Sequence, residues 1–552
     1  MTPESGAAPR TDGTRPPEAG DSRETFVRNT AVMSVGTALS RITGFLRLSV
    51  AAWALGNLGV ANSYNRANTT PNIIYELALG GILTSVFVPV FVDWLHSRGR
   101  EEAWDVARRV LTLAVVVLGA MAALGAIFAP QIMRLYFSQT PHAEQGIALG
   151  TFFLRWFMPQ VVFYGVGAVA GGLLNAHGRF AAPMFAPILN NLAVIATLIV
   201  FATVHEGDPT IATLTFAQRS ILAAGTTLGV AAMTLALWPS LRQIGFRWRP
   251  LFDWRHEAVR RLARLASWVV VYVVANQVAF LVVLVLSGRQ QQWFIVYSYA
   301  FILFQLPHAI FTVSIFTALL PRMSAAWATG DPAQVRSLLS RGLRDMSVIV
   351  VPASLGYLAL AHPITRLMLE HGHFSAGSAE LTARVLQAFA VGLPFFSAFQ
   401  LFTRTFYAMQ DSRTPALVNV AAATVNIAAN LFFLEVAGWG VAGLALGHAT
   451  SYLFSSVVCV VLLRRRLAGI DGRAIAHALT RIVPAGVLTG LAAFGASELL
   501  GRLVGVATLA QQVLQVGTAV LAGLLVFGAA ALIFGIREAD DVRAAVLRRL
   551  RP

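Results

Sequence analysis

Ser40-Arg41-Ile42-Thr43-Gly44-Phe45-Leu46-Arg47 lies inside an apolar run from about residue 31 to 56. The next run, about 66–97, carries Arg66, Pro71-Asn72 and Glu76. Each is long enough for a helix to cross bilayer hydrocarbon, which takes roughly 20 apolar residues. Their arginines and acid therefore stand at or within membrane depth, where charge is costly and turns toward a bundle interior or a wet cavity. The two runs predict an all-α polytopic membrane protein organised around a polar cavity.

Composition agrees. Of 552 residues, 56% are hydrophobic and 12% charged, against about 25% charged in soluble domains. Residues 1–28, rich in Pro, Gly, Glu, Ser and Arg, read as a disordered cytoplasmic tail. Fourteen candidate spans follow, at about 31–56, 66–97, 109–133, 147–172, 183–204, 219–241, 265–287, 293–320, 342–361, 385–409, 415–437, 440–463, 481–500 and 508–536. The net charge of +16 comes from 42 basic residues, all arginine. They cluster between apolar runs, so membrane topology accounts for the charge and no nucleic-acid partner is expected. The single cysteine, Cys459, cannot form an intrachain disulfide.

Arginine placement orients the spans. With the amino terminus inside, the connections after even-numbered spans are cytoplasmic and should be basic. Arg98, Arg100, Arg108 and Arg109 follow the second span, Arg242 to Arg264 the sixth, Arg322 to Arg344 the eighth, and Arg464 to Arg481 the twelfth. The opposite connections hold Arg134, Arg219, Arg289, Arg366, Arg384 and Arg502. The expected protein is a multi-pass protein of the bacterial cytoplasmic (inner) membrane with both termini cytoplasmic.

A weak repeat suggests the internal plan. Leu174-Asn175-Ala176-His177-Gly178-Arg179-Phe180-Ala181-Ala182-Pro183 follows the fourth span, and Tyr407-Ala408-Met409-Gln410-Asp411-Ser412-Arg413-Thr414-Pro415 follows the tenth. Each puts a polar turn before a proline that can open a helix. Two parallel six-helix halves are expected, 29–241 and 265–463, with a cavity between them as in secondary transporters. An amphipathic linker, 242–264, would lie as a helix on the inner surface through Trp248, Leu251, Phe252, Trp254 and Val259. A second linker, 464–480, leads to two added spans in 481–536 and a cytoplasmic tail, 537–552.

These pieces resemble the MurJ/MviN family of lipid II flippases, within the multidrug/oligosaccharidyl-lipid/polysaccharide (MOP) exporter superfamily. The resemblance is carried by SRITGFLR at 40–47, PNIIYELALGGILTSVFVPV at 71–90, GGLLNAHGRFAAPMFAPILNN at 171–191, LPHAIFTVSIFTALLPRMS at 306–324 and FYAMQDSRTP at 406–415. It implies alternating access, moving an undecaprenyl-pyrophosphate-linked disaccharide-pentapeptide from the inner to the outer leaflet, with membrane lipids and cell-wall synthesis machinery as partners. Guanidinium forks suit the diphosphate.

By local motif Arg41 and Arg47 correspond to family arginines implicated in transport; the bland reading has Arg41 snorkelling at the inner interface and Arg47 pairing with an acid. The sequence departs from the family pattern elsewhere. Asn62 stands where an acid is usual, Leu48 replaces the acid after Arg47, and Tyr75 and Glu76 replace an arginine pair. Phe301-Ile302-Leu303-Phe304-Gln305 replaces Asp-Arg followed by Glu, so only Gln305 keeps a polar group there. Arg66 is an extra cation, either replacing lost positive charge or marking the outer interface with Glu76 as partner. Asn68, Asn72 and Asn190 complete the candidate substrate-binding set, although such asparagines also bond helix to helix. Arg155 and Arg404 fit structural pairing. His371 and His373 lack a third metal ligand, and Glu435, near an outer helix end, is expected to be solvent-exposed rather than to serve ion coupling. No cofactor or metal is expected.

Three classes remain open: the flippase, an exporter of a drug or another polyprenyl-linked glycan, and a non-transporting cell-wall scaffold. An enzyme is disfavoured because no nucleophile, base and metal set is present. No Walker-type phosphate loop is present either, so direct ATP hydrolysis is not expected.

Overall fold

Several helices begin at side-chain caps. Asp331 accepts the Gln334 N–H and Pro332 takes the first helical position of a 38-residue helix. Thr215 with Gln218, and Thr508 with Gln511, form capping boxes. The structure is a computed structural model that describes residues 36, 39–79 and 88–538. In order the helices are α1 (39–55), α2 (Gly59–Leu79), α3 (Val88–Ser97), α4 (Arg100–Ile127), α5 (Ala129–Tyr136), α6 (Glu144–Phe157), α7 (Gln160–Ala176), α8 (Ala181–Val204), α9 (Phe216–Leu235) and α10 (Trp238–Gln243). They continue as α11 (Glu257–Leu286), α12 (Trp293–Pro307), α13 (Val313–Ala328), α14 (Pro332–Leu369), α15 (Ala376–Ala408), α16 (Arg413–Leu431), α17 (Gly440–Arg466), α18 (Gly472–Val504) and α19 (Leu509–Ile533).

Among the described residues, twelve helical stretches are long and apolar enough to cross a membrane, from Arg100–Ile127 to Leu509–Ile533. They fall in order on the third to fourteenth expected spans. The first two expected spans, and the tails 1–28 and 537–552, lie wholly or partly outside the described residues. Short π-helical turns extend two of the twelve: His308–Thr312 between α12 and α13, and Phe432–Val436 after α16.

Two expectations change. The ninth span, expected at 342–361, is the middle of α14; its first turns carry arginines that are held by acids, Arg336 to Asp471 at 3.0 Å and Arg344 to Glu538 at 2.5 Å. The linker 242–264 is not a surface helix. From residue 246 to 253 it has no regular structure and lies along α4, where Arg108 Nε donates to the Arg247 carbonyl (3.0 Å) and Leu251 N–H to Thr112 Oγ1 (3.0 Å). Pro250 disfavours helix at the residue before it and supplies no N–H, and Gly245 turns the chain at φ 86°. Trp248, Phe252 and Trp254 stay exposed.

The repeated turns share one geometry. Gly178 (φ 70°) and Gln410 (φ 59°) are left-handed. Arg179 N–H reaches the Leu174 carbonyl at 2.8 Å, and Asp411 N–H the Phe406 carbonyl at 2.9 Å, the six-to-one bond of a Schellman helix end. The next helices open three residues later, at Ala181 and Arg413. The second turn is reinforced by Asp411, whose carboxylate accepts the Thr414 N–H (2.9 Å) and hydroxyl (2.7 Å) and meets Arg466. Desolvation raises its pKa, but the two Thr414 bonds and Arg466 outweigh it and hold the carboxyl below the usual range. A lowered folded pKa stabilises above the ordinary carboxylate pKa, near 4, and the contribution is lost as pH falls through the lowered value. Asp411→Asn should therefore cost about 1–2 kcal/mol at pH 7 and nearly nothing under acid. Thermal unfolding in detergent at both pH values checks this; an equal loss at both would refute it.

Separate apolar cores order the bundle. One spans Val283 to Leu467, built largely by α12–α17. Two others are built mainly by α1–α9, one of them taking in Phe294, Tyr299 and Phe374. α18 and α19 pack on α14 through Val348, Val351 and Leu360. Since helices alternate in direction, the arginine-rich connections gather at one end, here termed the basic end.

At the opposite end α1–α2 and α14–α15 meet. Gly56 (φ 67°) lies against His373, and Gly372 (φ 60°) against Trp53. His373 N–H donates to the Trp53 carbonyl (3.2 Å), Asn57 Nδ2 to Ser378 Oγ, and the His373 ring meets Asp208 at 2.7 Å.

Candidate functional site

α2 presents Asn65, Asn68, Asn72, Tyr75 and Glu76 at helical three- and four-residue intervals, one continuous polar face. Asn191 on α8 sets α1 beside it, donating to the Ser40 carbonyl (3.2 Å) and Thr43 Oγ1 (3.0 Å). Between α1, α2, α7, α8, α9 and α12 lies a polar cavity of about 90 Å³, lined by Arg47, Tyr64, Asn65, Asn68, Gln160, Tyr164, Asn190 and Tyr299, among others. That is room for about three waters.

No acid among the described residues lines this cavity, and Arg47 makes no ion pair or hydrogen bond among them. Asn68 Oδ1, Gln160 Oε1 and Asn190 Oδ1 are buried without a hydrogen-bond partner. Rotation of each amide offers NH2 in place of oxygen. A guanidinium with no counter-charge, among amides and phenols, is an anion-receiving arrangement. From α12 the wall is Ser298, Tyr299 and Ile302, so this helix contributes no charge here.

A second cavity, about 430 Å³, is lined by Asn72, Tyr75, Glu76, Tyr164, Gly167, Pro183, Met233 and Thr234, among others. Tyr164 lines both, so the chambers share a wall. The Tyr75 and Tyr164 rings are 5.5 Å apart and tilted by 45°.

The remaining candidates lie elsewhere. Arg66 is fully buried (0% exposed): Nε donates to Asn62 Oδ1 at 3.0 Å, Nη1 to the Tyr136 carbonyl, and the guanidinium sits 4.5 Å from the Phe137 ring centroid. Tyr136 ends α5, so the carbonyl it offers carries the negative end of that helix dipole. Arg66 and Asn62 thus form a packed clamp away from both cavities, and Glu76 is not its partner. Arg41 is exposed on α1 and Gln305 half-buried on α12, and neither lines either of these two cavities. Glu435 pairs with Arg289. Tyr64, Asn65, Gln160, Tyr164 and Tyr299 escaped the sequence reading; for Asn65 the signal was its place on the Asn68–Asn72–Glu76 face, and for Tyr299 nothing in one dimension placed it opposite Arg47.

Long apolar helices enclosing a polar, charge-bearing cavity define a helical membrane transporter. The fold is shared with a solved "Lipid II flippase MurJ, inward closed conformation", at TM-score 0.72 and 19% identity over 93% of this chain and 99% of that one. It is also shared with an inward-facing multidrug resistance MATE transporter of the MOP superfamily, at TM-score 0.63 and 14% identity over 78% and 96%. The family model for the lipid II flippase MurJ matches residues 51–514. The chain belongs to that family. It is 27% identical over 436 residues to the lipid II flippase MurJ of Burkholderia cenocepacia, covering 78% of this chain and 82% of the relative. To the probable lipid II flippase MurJ of Borreliella burgdorferi it is 25% identical over 452 residues, covering 81% and 85%.

Proposed function

We propose that this chain is a lipid II flippase of the bacterial inner membrane, a secondary-type transporter that carries the diphosphate-linked headgroup between leaflets by alternating access while the polyprenyl tail stays in lipid. Besides membership of the family, the observation that carries the reading is Arg47, a membrane-depth guanidinium facing a polar cavity with no acid among the described residues to neutralise it. A scaffold has no use for an uncompensated charge at that depth, since such charge is costly there unless it serves a ligand or ion. Arg47 would take the diphosphate, with Asn68 and Asn190 donating to its oxygens. Asn72 and Glu76 would meet the rest of the headgroup, Arg41 would gather substrate at the basic end, and Arg66 with Asn62 would hold the far end rigid. Gln305 would enter the cavity as the halves rotate.

The same reading takes fourteen spans, two six-helix halves with two added helices, and both termini in the cytoplasm. The common offset of the two Schellman turns and the clustering of arginine at one end support it. The test is lipid II translocation by the purified protein in proteoliposomes. Lipid II should reach the far leaflet well above protein-free vesicles; none under any imposed potential or ion gradient, with insertion intact, would sink the proposal. A second reading, another polyprenyl-linked glycan, draws on Ile302 and Glu76 where the family resemblance implies arginine. Faster movement of such a lipid than of lipid II would favour it.

A further inference from the structure

The two chambers carry opposite charge. Arg47 lines one, Glu76 lines the other, and Glu76 is the single acid lining either among the described residues. It is exposed to its chamber and makes no ion pair or hydrogen bond among them. A carboxylate repels a diphosphate, so this chamber does not extend the anion site. It is not built for a metal ion either: its other polar groups are an amide, a threonine hydroxyl and two phenols, and no group of three metal-ligating side chains occurs among the described residues. A carboxylate beside two tilted tyrosine rings suits a primary ammonium, which donates to the acid while its charge meets the ring faces.

We propose that Glu76, Tyr75 and Tyr164 form an ammonium site that takes the free amine of the headgroup's peptide while Arg47 holds the diphosphate. This rests on the flippase reading. The ligand must bear an anion and a cation well apart, and a diphosphate-linked glycopeptide whose peptide contains a diamino acid does. Tyr164, the shared wall, would stand between the two ends of one bound headgroup. Glu76 thereby becomes a specificity residue: it distinguishes headgroups by the charge of their peptide.

The experiment uses the full-length protein in proteoliposomes and two probes, lipid II with its side-chain amine free and the same lipid with that amine acetylated. Wild type should move the free-amine lipid about tenfold faster at limiting substrate, equivalent to about 1.4 kcal/mol. Glu76→Gln should move both at the acetylated rate, and Glu76→Asp should restore part of the preference. Equal movement of the two lipids by wild type would overturn the proposal without any variant. So would a preference that survives in Glu76→Gln, or an equal slowing of both lipids, which would assign Glu76 to packing or proton coupling. Movement of neither lipid by wild type would instead sink the flippase reading, and this site with it.

Discussion

Arg47→Ala should lower lipid II translocation by about thirtyfold or more while leaving insertion and thermal unfolding near wild type. Truncating a desolvated, hydrogen-bonding charge that meets an anion costs about 2–5 kcal/mol, and each 1.4 kcal/mol is tenfold. Folding should be spared because Arg47 has no hydrogen-bond or ion-pair partner among the described residues to orphan. Arg47→Lys separates charge from shape, keeping the cation but losing the planar fork that grips two phosphate oxygens, and should fall between the two. The measurement is initial rate against lipid II concentration, beside a melting curve. Full activity in Arg47→Ala would remove the cavity from the mechanism.

Gly372→Val should prop open the end opposite the basic connections. A Cβ at Gly372 would lie 2.4 Å from Trp53 Cδ1 and 2.6 Å from the Trp53 carbonyl oxygen, in a backbone conformation (φ 60°) that side chains resist. Gly56 faces the same joint, where a Cβ would lie 2.6 Å from the His373 carbonyl. A left-handed conformation alone costs a branched residue about 1–2 kcal/mol, so the closed arrangement should lose about tenfold in population. The readout is labelling of Ser378→Cys by an impermeant thiol reagent, favoured by the burial of the native Cys459. Labelling should rise about tenfold when Gly372→Val is added, and transport should slow because the joint no longer recloses. Unchanged labelling would show that the two loops part without passing through this contact.

Much of this architecture was legible because membrane helices announce themselves locally. Twenty apolar residues, a basic connection and a Pro-started helix need no distant partner, and Ala181–Val204 and Arg413–Val436 fell close to where runs and prolines put them. The cavity was half legible. Asn68, Asn72 and Glu76 share a face by helical period, and Arg47 followed from motif. Tyr164 and Tyr299 come from helices remote in sequence, and aromatic residues in apolar spans look alike whether they meet lipid, core or cavity. Arg66 misled because a charge at membrane depth reads as a ligand contact, whereas here Asn62, the carbonyl ending α5 and the ring of Phe137 hold it, with Nη2 alone left without a hydrogen bond. The stretch after α10 misled through its spaced aromatic residues; Pro250 outweighed the pattern.

The joint at the far end is held by neutral contacts. Its main contacts are a glycine against an indole, a backbone N–H on a carbonyl and an amide on a hydroxyl. None is an attraction between full charges. The remaining contact, the His373 ring with Asp208, sits at the rim with the Asp208 side chain 86% exposed, where even a full ion pair contributes little. Dissolved ions weaken charge pairs within a Debye length but leave neutral contacts nearly untouched. The seal should therefore hold equally in dilute and in saline surroundings, so salt on that side has almost no grip on when this end opens.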